Sequence, residues 1–193
     1  EPVLGLGYPA ADLPVLRKLE KYMKPGDETS MVFDLDFIGL QNYTREIVKS
    51  SFFTPYIGAS LVKAEKRKVP VTTMGWEVYP EAIYHIIRKF DAYPQIKKII
   101  ITENGAAFPD LVENNQVHDP RRVQYLKDHI RQVLRAKKEG CKVAGYFVWT
   151  LTDNFEWAEG YHPRFGLIYV DFDTQERIIK DSGKWYRDFL GAE

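Results

Sequence analysis

Three consecutive isoleucines, Ile99 to Ile101, constrain this chain more than any other feature of its sequence. With Lys98 before them and Thr102 behind, they read as a short strand buried on both faces. β-Branched side chains suit a pleated surface, and an unbroken apolar run leaves no face for water. Strands of that kind belong to parallel sheets, whose crossover connections lay helices over both sides. The flanking sequence supplies such helices. Pro80 opens a segment in which Ile83, Ile86, Ile87 and Phe90 recur at helical spacing. Asp119-Pro120 reads as an N-cap followed by proline at the first helical position. Val123, Leu126, Ile130, Val133 and Leu134 then form an apolar stripe that ends before Gly140.

Leu35 to Leu40 and Val143 to Trp149 read as further buried strands on either side of the isoleucine run. Nearer the start, Leu13, Leu16, Leu19 and Met23 share one helical face ahead of the stop Lys24-Pro25-Gly26-Asp27. Toward the end, Phe165 to Asp171 pairs with Arg177 to Ile179 as an expected hairpin across Asp173-Thr174, and Trp185 to Leu190 forms a short amphipathic helix. No repeat or Gly/Ser linker interrupts the pattern, so residues 1–193 parse as one continuous unit. Three strand–helix units with long loops make a fraction of a (β/α)₈ barrel, which takes about 250 residues or more. The start at Glu1-Pro2, with neither an initiator Met nor a signal segment, suggests a chain cut from something longer.

Composition narrows the function classes. Lys+Arg and Asp+Glu number 27 each, which removes the electrostatic reason to expect nucleic acid or an anionic membrane surface as partner. No apolar run approaches the roughly 20 residues needed to span a bilayer, so a soluble protein is expected. Cys141 is the single cysteine, and no His/Cys spacing resembles a metal motif, so no cofactor or metal is expected. Localisation and redox compartment stay open.

Two segments carry candidate chemistry. Glu103 follows the isoleucine strand directly and precedes Asn104-Gly105, read as a turn. A carboxylate at the mouth of a parallel sheet suits catalysis, with a helix or turn cap as the alternative. The second segment, Trp149 to Trp157, holds two indoles with Asp153 and Glu156, and leads to Tyr161, Arg164 and Phe165. Aromatic planes interspersed with carboxylates suit sugars. The C–H faces of a pyranose pack on rings, and its hydroxyls take ionised acceptors. Taken individually, Phe155 and Tyr161 read as members of a core aromatic cluster.

Together, Asp36 to Tyr43, Met74 to Pro80, Ile101 to Gly105, and Trp149 through Asp171 resemble glycoside hydrolase family 1 in the family's own order. The resemblance covers nearly all of the chain. It implies an α/β fold, the C-terminal portion of a (β/α)₈ TIM barrel holding strands six to eight. Strands one to five would belong to an N-terminal part absent from this chain. It further implies a retaining β-glycosidase in which Glu103 is the nucleophile and Tyr43 hydrogen-bonds it. Glu156 would accept from the outer sugar hydroxyls, Trp157 would donate through its indole N–H, and Trp149 would form the platform under the ring. Phe165 would line the pocket and Trp76 the aglycone side. Gln41-Asn42-Tyr43 stands where the family usually has Asn-Tyr-Tyr, so Gln41 is the candidate for the missing amide contact. The implied ligand is a β-linked oligosaccharide or an aryl or alkyl β-glycoside. Glu156 and the lack of a Ser/Lys/Tyr phosphate clamp favour unphosphorylated β-glucosides or β-galactosides. The family's Thr-x-Asn-Glu-Pro motif, which carries the general acid/base, is absent, so this chain is not expected to be competent without the N-terminal part. A non-catalytic carbohydrate-binding or regulatory member of the fold is the alternative, and an Asn-Glu-Pro upstream would decide against it. The resemblance also implies a cis peptide between Trp149 and Thr150.

Overall fold

The computed structural model describes residues 1–10, 12–54 and 57–192. In chain order the regular elements are α1 (Asp27–Ser30), β1 (Ile38–Gln41), β2 (Val48–Ser50), β3 (Ala59–Leu61), α2 (Glu81–Asp91) and β4 (Ile99–Asn104). After them come β5 (Val112–Glu113), β6 (Gln116–Val117), α3 (Pro120–Lys138), β7 (Val143–Val148), β8 (Ile168–Val170), β9 (Arg177–Ile179) and α4 (Asp181–Gly191). Short 3₁₀ turns fill some of the connections.

The three expected strands form one parallel sheet in the order β1-β4-β7, with the isoleucine strand in the centre. Helix α2 connects the first pair of strands and α3 the second, and the two helices pack on each other. Leu40, Ile83, Ile87, Ile96, Ile99, Ile101, Val133, Ala136 and Cys141 form one core between sheet and helices. A second core, of Ala106, Phe108, Tyr125, Leu126, Ile130 and Leu167, lies toward the ends of the strands. Helix α3 spans both cores because its 19 residues give it five turns of buried face.

Both β1 and β4 lose regular register where they leave the core: the pairing of β1 with β4 shifts between Leu40 and Gln41, so that Gln41 lies opposite Glu103. Irregularities of this kind re-aim side chains at strand ends. Because the three strands run parallel, the loops that follow them all leave at the same end of the sheet.

Several expectations need correction. Leu13 to Met23 is instead a 3₁₀ segment, Pro14–Tyr22, with no buried residue, and its apolar side chains are exposed or only partly covered. Strand β1 begins only at Ile38, and Phe37 before it is exposed. Leu134 is 49% exposed, and the inward face of α3 is instead Arg122, Tyr125, Leu126, His129, Ile130, Val133 and Ala136. Polar side chains occupy that face because partners from distant segments satisfy them. Asp119 stands at the N-cap position but makes no capping bond. Its carboxylate accepts from the Ser182 amide at 2.8 Å and from the Ser182 hydroxyl at 2.5 Å, joining α3 to α4. The hairpin toward the C-terminus is present as β8 with β9, shorter than the sequence suggested.

Candidate active site

Strand β4 sets the site, and it runs two residues past the expected boundary. Asn104 is still in the strand, so Asn104-Gly105 is not a turn. Gly105 is required there for close approach: a Cβ would lie 1.8 Å from the Trp149 carbonyl oxygen, deep inside van der Waals contact. With that gap closed, the Trp149 amide donates to the Asn104 carbonyl at 2.9 Å, and the Trp149–Trp157 loop starts beside Glu103. The peptide between Trp149 and Thr150 is cis, as the resemblance implied.

Glu103 is half-buried at the end of β4, and the Tyr43 hydroxyl donates to its Oε2 at 2.6 Å. The Tyr43 phenol is pushed far above its ordinary value, first by burial and then by the hydrogen bond to Glu103 and the charges of Glu103 and Glu156. It is thus a fixed donor throughout the accessible pH range, and the carboxylate is the acceptor. The Tyr43 ring lies 5.3 Å from Trp76 and 6.2 Å, edge-on, from Phe165, and Trp76 and Phe165 are 6.1 Å apart. Four of the expected site residues, from four separate segments, thus meet in one cluster.

A fifth and sixth meet beside it. The Trp149 indole N–H donates to Glu156 Oε1 at 3.1 Å, so the loop folds back on itself and holds its carboxylate in place. The other two candidates stand apart. Gln41 is exposed and tied to Glu103 only as its strand neighbour. Trp157 is 82% exposed, its ring edge-on to Phe155 at 6.4 Å. Phe155 and Tyr161, read from sequence as core residues, are 50% and 55% exposed and meet edge-to-face at 5.3 Å. Their cluster is a surface one at the rim of the loop, because the loop projects beyond both cores.

Two sets of charges whose pairing the sequence did not show hold these loops. Glu77, next to Trp76, is buried and gripped by Arg45 at 2.9 and 3.0 Å and by Arg67 at 2.8 Å, and these bonds hold its carboxyl down to about 2. The Arg45 guanidinium also lies 3.5 Å from the centre of the Tyr79 ring. The second set sits under the Trp149–Trp157 loop. Asp153 accepts from Lys180 at 2.9 Å, from Arg164 at 3.1 Å and from the Gly166 amide at 2.9 Å. Lys180 also reaches Asp110 at 2.5 Å. Arg122 binds Asp110 at 3.1 Å, Asp119 closely, and the Arg164 carbonyl at 2.6 Å. Burial and the nearby Arg122 lower the Lys180 ammonium while Asp153 and Asp110 raise it. The three acids match the three cations, which is what permits this many charges in one buried place. Asp119, Asp153 and Arg164 of this set lie in segments that the sequence marked, whereas for Arg122, Asp110 and Lys180 the one signal was the placement of Arg122 among apolar neighbours on α3. The partners of Arg122 lie 3 to 42 residues away in the sequence.

Among the described residues, no group of three or more His, Cys, Asp or Glu side chains could hold a metal ion. The arrangement presents one carboxylate oriented by a phenol, a second carboxylate oriented by an indole, and aromatic rings around both. That set can offer an oxygen nucleophile and a shelf for a polyhydroxylated ring.

The family model described as glycosyl hydrolase family 1 matches residues 2–193. A β-glucosidase A of Thermotoga maritima is 46% identical over 190 residues, which cover 98% of this chain and 42% of that protein. A 6-phospho-β-galactosidase of Leptotrichia buccalis is 45% identical over 120 residues, 62% of this chain and 26% of its own length. A solved structure of the T. maritima β-glucosidase in complex with azafagomine has a TM-score of 0.88 to this chain at 43% identity, covering 98% of this chain and 42% of that one. The chain spans about 42% of the length of the β-glucosidases it matches, and its three-stranded parallel sheet is part of a TIM barrel. From the match over all but the first and no later residue, and from the shared arrangement of sheet and helices, the chain belongs to glycosyl hydrolase family 1.

Proposed function

We propose that the whole protein is a retaining β-glycosidase acting on unphosphorylated β-glucosides or β-galactosides, and that Glu103 is its nucleophile. The observation that carries this reading is the 2.6 Å bond from Tyr43 to Glu103 inside the ring cluster of Trp76 and Phe165. One Glu103 oxygen is occupied by the phenol, which leaves the other to attack the anomeric carbon. A glycosyl ester forms as the leaving oxygen departs with a proton, and water then cleaves the ester with retention of configuration. The proton donor would be a second carboxyl about 5–5.5 Å away. In this reading it comes from the family's Asn-Glu-Pro motif, in a part of the barrel outside this sequence.

Glu156, held by the Trp149 indole, takes the outer sugar hydroxyls as a charged acceptor, with Trp157 donating beside it. Trp149 supports the ring, Phe165 lines its pocket, Trp76 flanks the aglycone and Gln41 supplies an amide. A fixed negative charge at Glu156 would repel a sugar phosphate, which separates the proposed substrate from that named for the Leptotrichia relative. The remaining partner is the rest of the same barrel. Exposed Phe147, Leu151, Ile179 and Leu190 line an apolar groove along β7 and α4 that such a partner would cover. The test is turnover of an aryl β-glucoside by the whole protein carrying Glu103→Gln. Loss of at least a thousandfold is expected, and retention of most activity would reject the nucleophile assignment.

A further inference from the structure

Tyr43 reaches Glu103 from a loop, and a loop alone is a poor way to hold a phenol within 2.6 Å of a carboxylate. The backbone carbonyls of Asn42 and Tyr43 are both captured from beneath. Asn104, completely buried beside Glu103 at the end of β4, donates from Nδ2 to the Asn42 carbonyl at 2.7 Å. The same Nδ2 donates to the Tyr125 hydroxyl at 3.0 Å, and that hydroxyl donates in turn to the Tyr43 carbonyl at 3.2 Å. Asn104 Oδ1 accepts from the Tyr146 hydroxyl on β7 at 2.7 Å. Both amide protons and the amide oxygen are thus spent, and the orientation of the amide is fixed by its partners.

Tyr125 is itself held. It lies on the buried face of α3, its ring stacked on His129 at 3.8 Å between centroids and 22° between planes. Burial pushes its phenol up, so it remains a donor at any working pH. The thread therefore runs from the second turn of α3 through one phenol and one amide to Asn42 and Tyr43.

We propose that Asn104 and Tyr125 are positioning residues that set the Tyr43 hydroxyl against Glu103, so that their contribution to the reaction passes through Tyr43. The proposal rests on the reading of Glu103 as nucleophile. A residue that served only packing would change stability or activity independently of the Tyr43 hydroxyl. A residue that acts through that hydroxyl has nothing left to act on once it is removed.

The experiment is a double-mutant cycle in the whole protein, read as kcat/KM on an aryl β-glucoside with a good leaving group. Its four members are wild type, Tyr43→Phe, Tyr125→Phe and the double variant. Tyr125→Phe alone is expected to lower kcat/KM about tenfold, the scale of one misplaced hydrogen bond. In the Tyr43→Phe background the same change should cost less than twofold. Equal, multiplicative losses in both backgrounds would overturn the proposal. Tyr146→Phe, which frees the Asn104 oxygen and leaves Tyr43 and Tyr125 in place, gives a second cycle should Tyr125→Phe fold poorly, with the same two outcomes. An inactive wild type, or a Glu103→Gln variant as active as wild type, would remove the nucleophile reading itself and is distinguished by those two controls.

Discussion

The Tyr43 hydroxyl and the Glu103 carboxylate, 60 residues apart in sequence, meet at 2.6 Å where two parallel strands end. Hydrogen bonds to a charged acceptor contribute about 1.5–3 kcal/mol. Tyr43→Phe keeps the ring contacts with Trp76 and Phe165 and removes only this bond. Its kcat/KM on an aryl β-glucoside should fall about 10- to 100-fold with thermal stability little changed, as steady-state kinetics and a melting curve on the whole protein would show.

Glu156 should govern which sugar is accepted. Glu156→Gln keeps an oxygen for the Trp149 indole but removes the charge. The expected result is a drop of roughly tenfold in kcat/KM on a β-glucoside. The ratio of activity on the 6-phosphorylated to the plain glucoside should rise. Parallel rate measurements on the two substrates would check both.

Lys180 bridges Asp110 and Asp153 where all three side chains are fully buried. Removing a partner from a buried ion cluster leaves uncompensated charge, at about 3–5 kcal/mol. Lys180→Met should therefore lower the unfolding free energy by about 3 kcal/mol in a urea titration. It should also loosen the Trp149–Trp157 loop, because Asp153 is the anchor of that loop.

His129 adds an acid sensitivity. Burial depresses its imidazole from 6.5 to about 4, so the folded state holds it neutral while the unfolded chain takes up a proton below pH 6.5. Its contribution to stability is complete above that value and is lost as pH falls toward 4. Melting temperatures between pH 7 and 4 should decline more steeply for wild type than for His129→Gln.

How much of this was legible from the residues follows their range of interaction. The isoleucine strand was readable from its unbroken β-branched run and the Ile83–Phe90 helix from its spacing, both of them local signals. Glu103, Tyr43, Trp76, Trp149, Glu156 and Phe165 were readable because they lie in segments with the family's wording. Leu134 misled because hydropathy ranks it above Arg122 and His129. The latter two are buried only because Asp110, Asp119 and the Tyr125 carbonyl await them. Asn104-Gly105 looked like a turn for a similar reason: the glycine serves a backbone 44 residues further on, and the asparagine serves a loop 62 residues back.

The most direct test of the account is to incubate the whole protein with a 2-deoxy-2-fluoro β-glucoside bearing a good leaving group, then find the modified peptide by mass spectrometry. The account predicts one sugar per protein, esterified to Glu103. An unlabelled Glu103 with the sugar on another carboxylate would contradict it.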